Sequence, residues 1–261
     1  MLARLGPLAA APPHHLLIFC ADVERTVAAA DFVQENAPER EPVKQKLLVR
    51  IDAALPPERI IASSSSGLLI SRLAASCRHP ERIVIGHPFN PPHLIPLVEV
   101  VGGAQTAPAA IERALEFYAS IGKRPIHIRR EVAGHVANRL QAALWREAVH
   151  LLAEGVASVA DIDTAISEGP GLRWALMGPN LTFHLAGGEG GMAHFLDQLG
   201  PPLEGWWDDL GSPRLTPEVR QALAAGTAAE AGERDIAELA AERDRFLVDL
   251  LELKKSTGSA D

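Results

Sequence analysis

Short apolar runs alternate with helix-like segments over the first half of the chain. The apolar runs are LLIFC (16–20), DFVQEN (31–36), IIASS (60–64), RIVIGH (82–87), LVEVV (97–101) and PIHIRR (125–130). The helix-like segments are DVERTVAAA, EPVKQKLLVRIDAAL and TAPAAIERALEFYASIG. Strands that alternate with helices predict a mostly parallel sheet covered on both faces.

After Gly134 the pattern becomes helical throughout. Apolar residues fall near one face of GHVANRLQAALWREAVHLLAEG, and SVADIDTAISEG predicts a second helix that begins at Ser158. GPNLTFHLAGGEGGMAHFLDQLGPP predicts two helices around a glycine-rich turn, and AELAAERDRFLVDLLELKK predicts a charged amphipathic helix. We therefore predict an α/β domain over residues 1–132, followed by an all-helical domain over residues 133–261.

Length and composition agree with two globular domains. The chain has 261 residues, of which 47% are hydrophobic and 22% are charged, so it can bury a core. Its 25 Lys and Arg residues against 33 Asp and Glu residues leave a net charge of −8. Because no broad basic surface exists to neutralise phosphates, we expect no nucleic acid partner.

The N-terminal segment loosely resembles a lipoprotein signal, because Arg4 and an apolar run precede Cys20. Prolines and histidines interrupt that run, and bulky Phe19 stands before the cysteine where small residues are expected. No uninterrupted apolar stretch is long enough to span a membrane. Cys20 and Cys77 are too few for a disulfide framework, and we interpret both as small core residues. We expect a cytoplasmic protein without a membrane partner.

His87 follows the apolar run IVIG and precedes the turn-forming run PFNPP. It should emerge from the carboxyl end of a strand, where open α/β sheets place their ligand crevice. An imidazole there can accept a proton near neutral pH, and Glu99 in LVEVV can fix its tautomer. A carboxylate among apolar neighbours also needs a partner. The alternative is a loop histidine and a strand-edge glutamate that never meet.

Two further polar positions are candidates for the same crevice. ASSSSGL ends another apolar run with Ser63, Ser64, Ser65 and Ser66, and the position beside Gly67 makes Ser66 the best-exposed hydroxyl. An ordinary polar loop is the default interpretation. Asn138 lies in the first turn of the helical half and points either to solvent or toward the sheet.

Five motifs together resemble the L-3-hydroxyacyl-CoA dehydrogenase family. QENAPER, ASSSSGL, GHPFNPPHLIPLVEVV, EVAGHVANRL and ASVADIDTAISEGPGLRWALMGP occur in the family's order and spacing. The resemblance extends from about Leu16 to the C-terminal helix. It is closest to the branch that contains lambda-crystallin/L-gulonate 3-dehydrogenase and L-carnitine dehydrogenase.

This resemblance implies a Rossmann-type sheet domain, a helical domain that forms a homodimer, and NAD-dependent oxidation of a secondary alcohol. His87 would take the hydroxyl proton, Glu99 would orient the imidazole, and Ser66 and Asn138 would hold the substrate oxygen. The family's cofactor contacts correspond to Glu39, Lys44, Ser66 and Asn90. The beta-hydroxyacid dehydrogenases have a similar domain arrangement, but they use a lysine base and have no counterpart of the His87 and Glu99 motifs.

One family motif is missing from these 261 residues. Members open with a strand, a G-x-G-x-x-G turn and a helix, followed by an acidic residue for the ribose. GPGLRW and GGEGG follow no strand and cannot replace that turn. We interpret the sheet domain as lacking its first βαβ unit, and we expect weak NAD binding and little turnover from this chain. A truncated or crystallin-like oligomer without catalytic activity is the alternative.

The substrate is either a 3-hydroxyacyl-CoA or a small 3-hydroxy acid such as carnitine or gulonate. Arg173 and Trp174 interrupt the stretch before MGP, as in the small-substrate branch. A guanidinium can bind a carboxylate in two parallel hydrogen bonds, and an indole face can receive a quaternary ammonium. An ordinary surface arginine and a core tryptophan are the alternative. His184 and His194 are expected to be helix packing or surface residues, so we predict no metal site.

Overall fold

The computed structural model describes residues 16–257. The chain forms two compact units, one ending at Leu140 and the other beginning at Gln141. Most of the N-terminal segment that loosely resembles a lipoprotein signal, including Arg4, lies outside the described residues. Within the described part of the chain, every helix is too short or too polar to cross a membrane.

The first unit contains a sheet of five strands. The strands are β1 (Phe32–Glu35), β2 (Ile60–Ser63), β3 (Ile83–Pro88), β4 (Leu97–Gly102) and β5 (Arg124–Ile128). Its helices are α1 (Val23–Val27), α2 (Glu41–Ala54), α3 (Ile70–Leu73) and α4 (Pro108–Ser120). The strands lie side by side in the order of the sequence. All neighbours are parallel except β3 and β4, which are antiparallel.

Both faces of the sheet are covered, as the apolar runs predict. Ile61 and Ile85 point to one face and pack with Leu48 of α2 in one core cluster. Val84 points to the other face and packs with Ala114 of α4 in a second cluster. Burial on both sides explains why these strands read as continuous apolar runs without polar alternation.

Local sequence signals set several helix ends. The Asp22 carboxylate accepts the backbone N–H of Arg25 at the start of α1, and Pro108 occupies the first turn of α4. Gly122, with φ of 78°, follows the end of α4 in the left-handed conformation that glycine adopts without strain. The Ser158 hydroxyl caps the predicted helix by accepting the N–H of Asp161.

No strand follows Ile128 within residues 16–257, and the rest of that range is helical, as predicted. The helices are α5 (Ala137–Ala153), α6 (Val159–Ser167), α7 (Pro170–Trp174), α8 (Pro179–Ala186), α9 (Gly191–Asp209), α10 (Pro217–Ala231) and α11 (Ile236–Ser256). The glycine-rich turn between α8 and α9 is present as predicted, as a short 3-10 helix over Gly188–Gly190.

Two sequence interpretations near the start of the described chain are wrong. LLIFC (16–20) is not a strand: Ile18 and Phe19 are 88% and 94% exposed, and the run pairs with no described strand. An isolated apolar run without a neighbouring strand has no partner for its backbone hydrogen bonds. Cys20 is exposed and is therefore not a core residue, whereas Cys77 is half-buried.

Candidate active site

Three strands deliver polar residues to one edge of the sheet. β1 ends at Glu35, β2 ends at Ser63, and His87 is the last residue but one of β3. Because these strands are parallel, their carboxyl ends meet at the same edge, where open α/β sheets bind ligands. β4 enters at this edge in the opposite direction and brings Glu99 directly opposite His87 in the ladder.

His87 and Glu99 form a buried pair. Nδ1 of His87 lies 2.9 Å from Oε2 of Glu99, and the two residues are 7% and 0% exposed. Oε1 of Glu99 accepts the backbone N–H groups of Val136 and Ala137, each at 2.9 Å, at the start of α5. Burial raises the pKa of Glu99, but the hydrogen bonds from His87, Ala137 and Val136 outweigh it and lower the pKa below its usual value.

This arrangement selects one tautomer of His87. An ionised carboxylate only accepts hydrogen bonds, so Nδ1 carries the proton and Nε2 presents its lone pair. No described residue hydrogen-bonds to Nε2 of His87. An imidazole in this state can accept a proton at Nε2, while the carboxylate behind it stabilises the resulting cation.

Glu39 holds the loop that follows β2, here called the serine loop (Ser64–Gly67). Oε1 of Glu39 accepts the Ser65 hydroxyl at 2.6 Å and the N–H groups of Ser66 and Gly67 at 3.0 and 3.2 Å. Burial raises the pKa of Glu39, but the Ser65 hydroxyl, the Lys44 ammonium and the two N–H groups lower it overall. Ser66 is half-buried, whereas Ser63 and Ser65 are fully buried.

Lys44 supports Glu39 from inside the protein. Its ammonium is fully buried and lies 3.0 Å from Oε2 of Glu35 and 3.6 Å from Oε2 of Glu39. Glu35 also accepts the Ser63 hydroxyl at 2.6 Å. In this structure Lys44 therefore reaches the serine loop through Glu39.

His135, just before α5, and Asn138, in its first turn, hold the other side of the serine loop. Nδ2 of Asn138 donates to the carbonyl oxygen of Ser66 at 3.1 Å, and Nε2 of His135 lies 2.9 Å from the carbonyl oxygen of Ser65. The sequence left open whether Asn138 points to solvent or toward the sheet. Its side chain points to the loop that follows β2 and not to solvent. The structure brings His87 and Glu99 together, and it brings Ser66 and Asn138 together.

Three further predicted site residues are Asn90, Arg173 and Trp174. Asn90 is exposed in the loop after β3. Arg173 and Trp174 lie at the end of α7 in the second unit, where Trp174 is 39% exposed. Trp174 is therefore not a core residue. His184 accepts the N–H of Met192 through Nδ1, and no group of three metal-ligating side chains occurs among residues 16–257.

The sheet edge suits the reacting end of a dinucleotide. Glu39, Ser66 and Asn90 follow directly on β1, β2 and β3, so all three stand where open α/β sheets bind dinucleotides. His87 adds a free proton acceptor at this edge. Between Leu16 and Thr257 no glycine-rich turn connects a strand with a helix, and we assign no pyrophosphate contact to those residues.

Sequence reasoning missed three parts of this site: Glu35, His135 and the N–H groups at the start of α5. A glutamate that ends an apolar run was a detectable signal for Glu35, because a buried carboxylate requires partners. Nothing in the local pattern indicated that His135 would be buried or that Glu99 would bind a helix N-terminus.

Replacing Glu39 with alanine is expected to lower the free energy of unfolding by about 1 to 2 kcal/mol. The change leaves the N–H groups of Ser66 and Gly67 without their acceptor and Lys44 with only one carboxylate. Urea unfolding measures the effect, and Glu58→Ala, which removes an exposed carboxylate, is the matched control. Equal stability of the two variants would contradict the role of Glu39 as the anchor of the serine loop.

Two family models and several curated relatives match this chain. The family model described as 3-hydroxyacyl-CoA dehydrogenase, NAD binding domain, matches residues 8–132, and the model for the C-terminal domain matches residues 134–235. The L-carnitine dehydrogenase of Streptomyces griseus is 54% identical over 96% of this chain and 74% of its own length. That of a Pseudomonas species is 53% identical over 94% of this chain and 76% of its own length.

A solved structure supports the same fold. It is that of FHMPC 5-dehydrogenase, described as an NAD+-dependent dismutase, and it superposes with a TM-score of 0.79 at 32% identity. The match covers 97% of this chain and 82% of that one.

Proposed function

The chain belongs to the 3-hydroxyacyl-CoA dehydrogenase family of NAD-dependent oxidoreductases, and we propose that it oxidises the 3-hydroxyl group of L-carnitine. The buried His87 and Glu99 pair carries this proposal, because it presents a free proton acceptor at the ligand edge of the sheet. The L-carnitine dehydrogenases, each at least 50% identical to this chain, favour carnitine over the other 3-hydroxy substrates.

Oxidation of a secondary alcohol removes a hydride from carbon and a proton from oxygen. Bound NAD supplies the hydride acceptor. Nε2 of His87 accepts the hydroxyl proton, and the carbon–oxygen single bond becomes the double bond of a ketone. Glu99 keeps the proton of Nδ1 in place and stabilises the imidazolium, while the start of α5 keeps Glu99 ionised through two N–H groups.

Ser66 and Asn138 position the reacting oxygen in this proposal. The Asn138 amide uses one N–H on the Ser66 carbonyl, so its second N–H and its oxygen are available to a ligand. The Ser66 hydroxyl has only one long contact, 3.4 Å to Glu39. Both groups can therefore hydrogen-bond a substrate oxygen without breaking a short bond within the protein.

The choice of carnitine depends on the carboxylate at one end of the molecule and the trimethylammonium group at the other. Arg173 is exposed and forms no ion pair with any described carboxylate, so its guanidinium is available for the substrate carboxylate. The Trp174 indole is the candidate contact for the trimethylammonium group. L-Gulonate would use the arginine alone, and an acyl-CoA would use neither residue in this way.

The substrate is tested by adding NAD and one hydroxy compound to the purified chain and recording NADH formation. Because weak NAD binding and slow turnover are expected, NAD and protein are both used at high concentration. L-carnitine is expected to give the largest kcat/KM, above L-gulonate and 3-hydroxybutyryl-CoA. A larger value with the CoA ester would overturn carnitine as the substrate but keep the reaction class. Absence of turnover with all three, together with absence of NADH binding by fluorescence, would favour the non-catalytic alternative.

Replacing Arg173 with glutamine is expected to raise KM for L-carnitine by roughly 10- to 100-fold, since a charge-assisted pair is lost. The kcat value should change little, because the carboxylate is bound equally in the ground and transition states. Steady-state kinetics measure both constants. Arg245→Gln, which alters an exposed arginine on α11, is the control, and equal KM values for the two variants would remove Arg173 from the site.

We also propose that the helical half forms a homodimer. Its helices expose large apolar side chains that a monomer would leave in water, among them Trp206 and Trp207 at 64% and Phe246 at 63%. Light scattering is expected to give the mass of two 27.9 kDa chains. Replacing Trp206 and Trp207 together with glutamate should favour the single chain, and a monomeric native protein would contradict the proposal.

A further inference from the structure

His135 connects two parts of the candidate active site, yet the proposed reaction gives it no step. It precedes α5, and its side chain is buried, with the residue only 2% exposed. Nε2 lies 2.9 Å from the carbonyl oxygen of Ser65, and the ring centroid lies 5.4 Å from that of His87. The imidazole therefore stands between the serine loop and the proton acceptor.

The backbone of His135 is also unusual. Its φ of 51° makes it the only residue other than glycine with a left-handed conformation in the described part of the chain. A side chain with a Cβ adopts this conformation at a cost that the surroundings must offset. Immediately after this turn, the N–H groups of Val136 and Ala137 meet Glu99, while the His135 side chain returns to Ser65.

Its hydrogen bonds select the neutral form of His135. A carbonyl oxygen only accepts, so Nε2 must carry a proton, and Nδ1 is buried without a partner among the described residues. A cation would bury a second N–H with no acceptor as well as a charge. The charged groups nearby are already engaged: Glu131 holds Ser71 with both oxygens, and Glu99 holds His87 and the start of α5.

We propose that His135 is a positioning residue. As a neutral imidazole, it holds the serine loop in a fixed position relative to the His87 and Glu99 pair. Its kinetic effect rests on the proposed dehydrogenase function, whereas its protonation state does not. By fixing the carbonyl of Ser65, it also fixes the neighbouring Ser66 hydroxyl relative to Nε2 of His87. The substrate oxygen needs both groups at once.

The protonation state is tested without any ligand. Side-chain nitrogen spectra of protein labelled with 15N-histidine are recorded at neutral pH, and loss of signals in His135→Gln assigns His135. We expect one unprotonated nitrogen, Nδ1, and one protonated nitrogen, Nε2. The opposite tautomer, or protons on both nitrogens, would overturn the proposal.

The positioning role is tested with two variants. Asparagine adopts the left-handed conformation readily, so His135→Asn keeps the turn, but its amide is too short to reach Ser65. Glutamine is long enough to donate to the same carbonyl. We expect His135→Asn to lower kcat roughly 10-fold and His135→Gln to stay within roughly 3-fold of the native value, because one hydrogen bond separates them.

An isotope effect separates positioning from general stability. With substrate deuterated at the reacting carbon, the isotope effect on kcat should increase in His135→Asn and return to the native value in His135→Gln. A loss of thermal stability in His135→Asn with unchanged kcat and isotope effect would show a structural role only and overturn the proposal. Absence of turnover by the native chain would overturn the proposed function and the kinetic role together, while the nitrogen spectra would still decide the protonation state.

Discussion

Replacing His87 with glutamine is expected to lower kcat by roughly 10²- to 10⁴-fold, the range that a positioned general base contributes. Glutamine can keep a hydrogen bond to Oε2 of Glu99, so the buried carboxylate retains a partner. It cannot accept the substrate proton near neutral pH. The loss should therefore fall on the chemical step and leave KM for the substrate nearly unchanged.

Steady-state rates with L-carnitine and NAD measure this effect. His127→Gln is the matched control, because it changes an exposed histidine on β5, the strand next to β4. NADH binding followed by fluorescence should be equal in native protein and His87→Gln. Turnover of His87→Gln within about twofold of the native rate would remove His87 as the base.

The contact between His87 and Glu99 was predictable in part. Two apolar runs separated by a proline-rich turn place both residues near one sheet edge. The pairing itself depends on β4 running antiparallel to β3, so that Glu99 lies inside β4 and directly opposite His87. Local propensity does not determine strand direction here, because antiparallel and parallel buried strands both read as apolar runs.

The serine loop shows a second limit of prediction from the sequence. Its position at the end of β2 was predictable, and the half-buried Ser66 was the serine selected. The contacts that hold the loop were not predictable, because Glu39, His135 and Asn138 come from segments far apart in sequence. Long-range polar contacts of this kind leave no periodic signal in the chain.

Assigning structure from apolar periodicity fails in opposite ways for helix α10 and for the run LLIFC. Helix α10 has no buried residue and no clear apolar face, so its segment was assigned to the helical half but not identified as a separate helix. LLIFC (16–20) has a strongly apolar pattern but no neighbouring strand among the described residues. Intrinsic preference for helix explains the alanine-rich α10, and missing strand pairing explains LLIFC.

Replacing Glu99 with glutamine is expected to lower kcat by roughly 10²- to 10⁴-fold as well, although the side chain keeps its shape. The N–H groups of Val136 and Ala137 hold Oε1 from one side, so the amide oxygen of glutamine must face them. The amide NH₂ group then faces Nδ1 of His87 and donates to it. This bond places the histidine proton on Nε2, where the proton acceptor should be, and the base is blocked.

Acid unfolding tests the same carboxylate without substrate. The pKa of Glu99 is lower in the folded protein than the ordinary glutamate value of 4.5, so its ionised form stabilises the fold above that value. This stabilisation is lost as the pH falls through the lowered pKa of the folded state. Native protein should therefore exceed Glu99→Gln in thermal stability near neutral pH, and the two should converge in acid. Glu116→Gln, which alters an exposed carboxylate on α4, should follow the native protein at every pH. A constant difference between native protein and Glu99→Gln across this range would show that Glu99 is not ionised in the fold, and the tautomer assigned to His87 would be wrong.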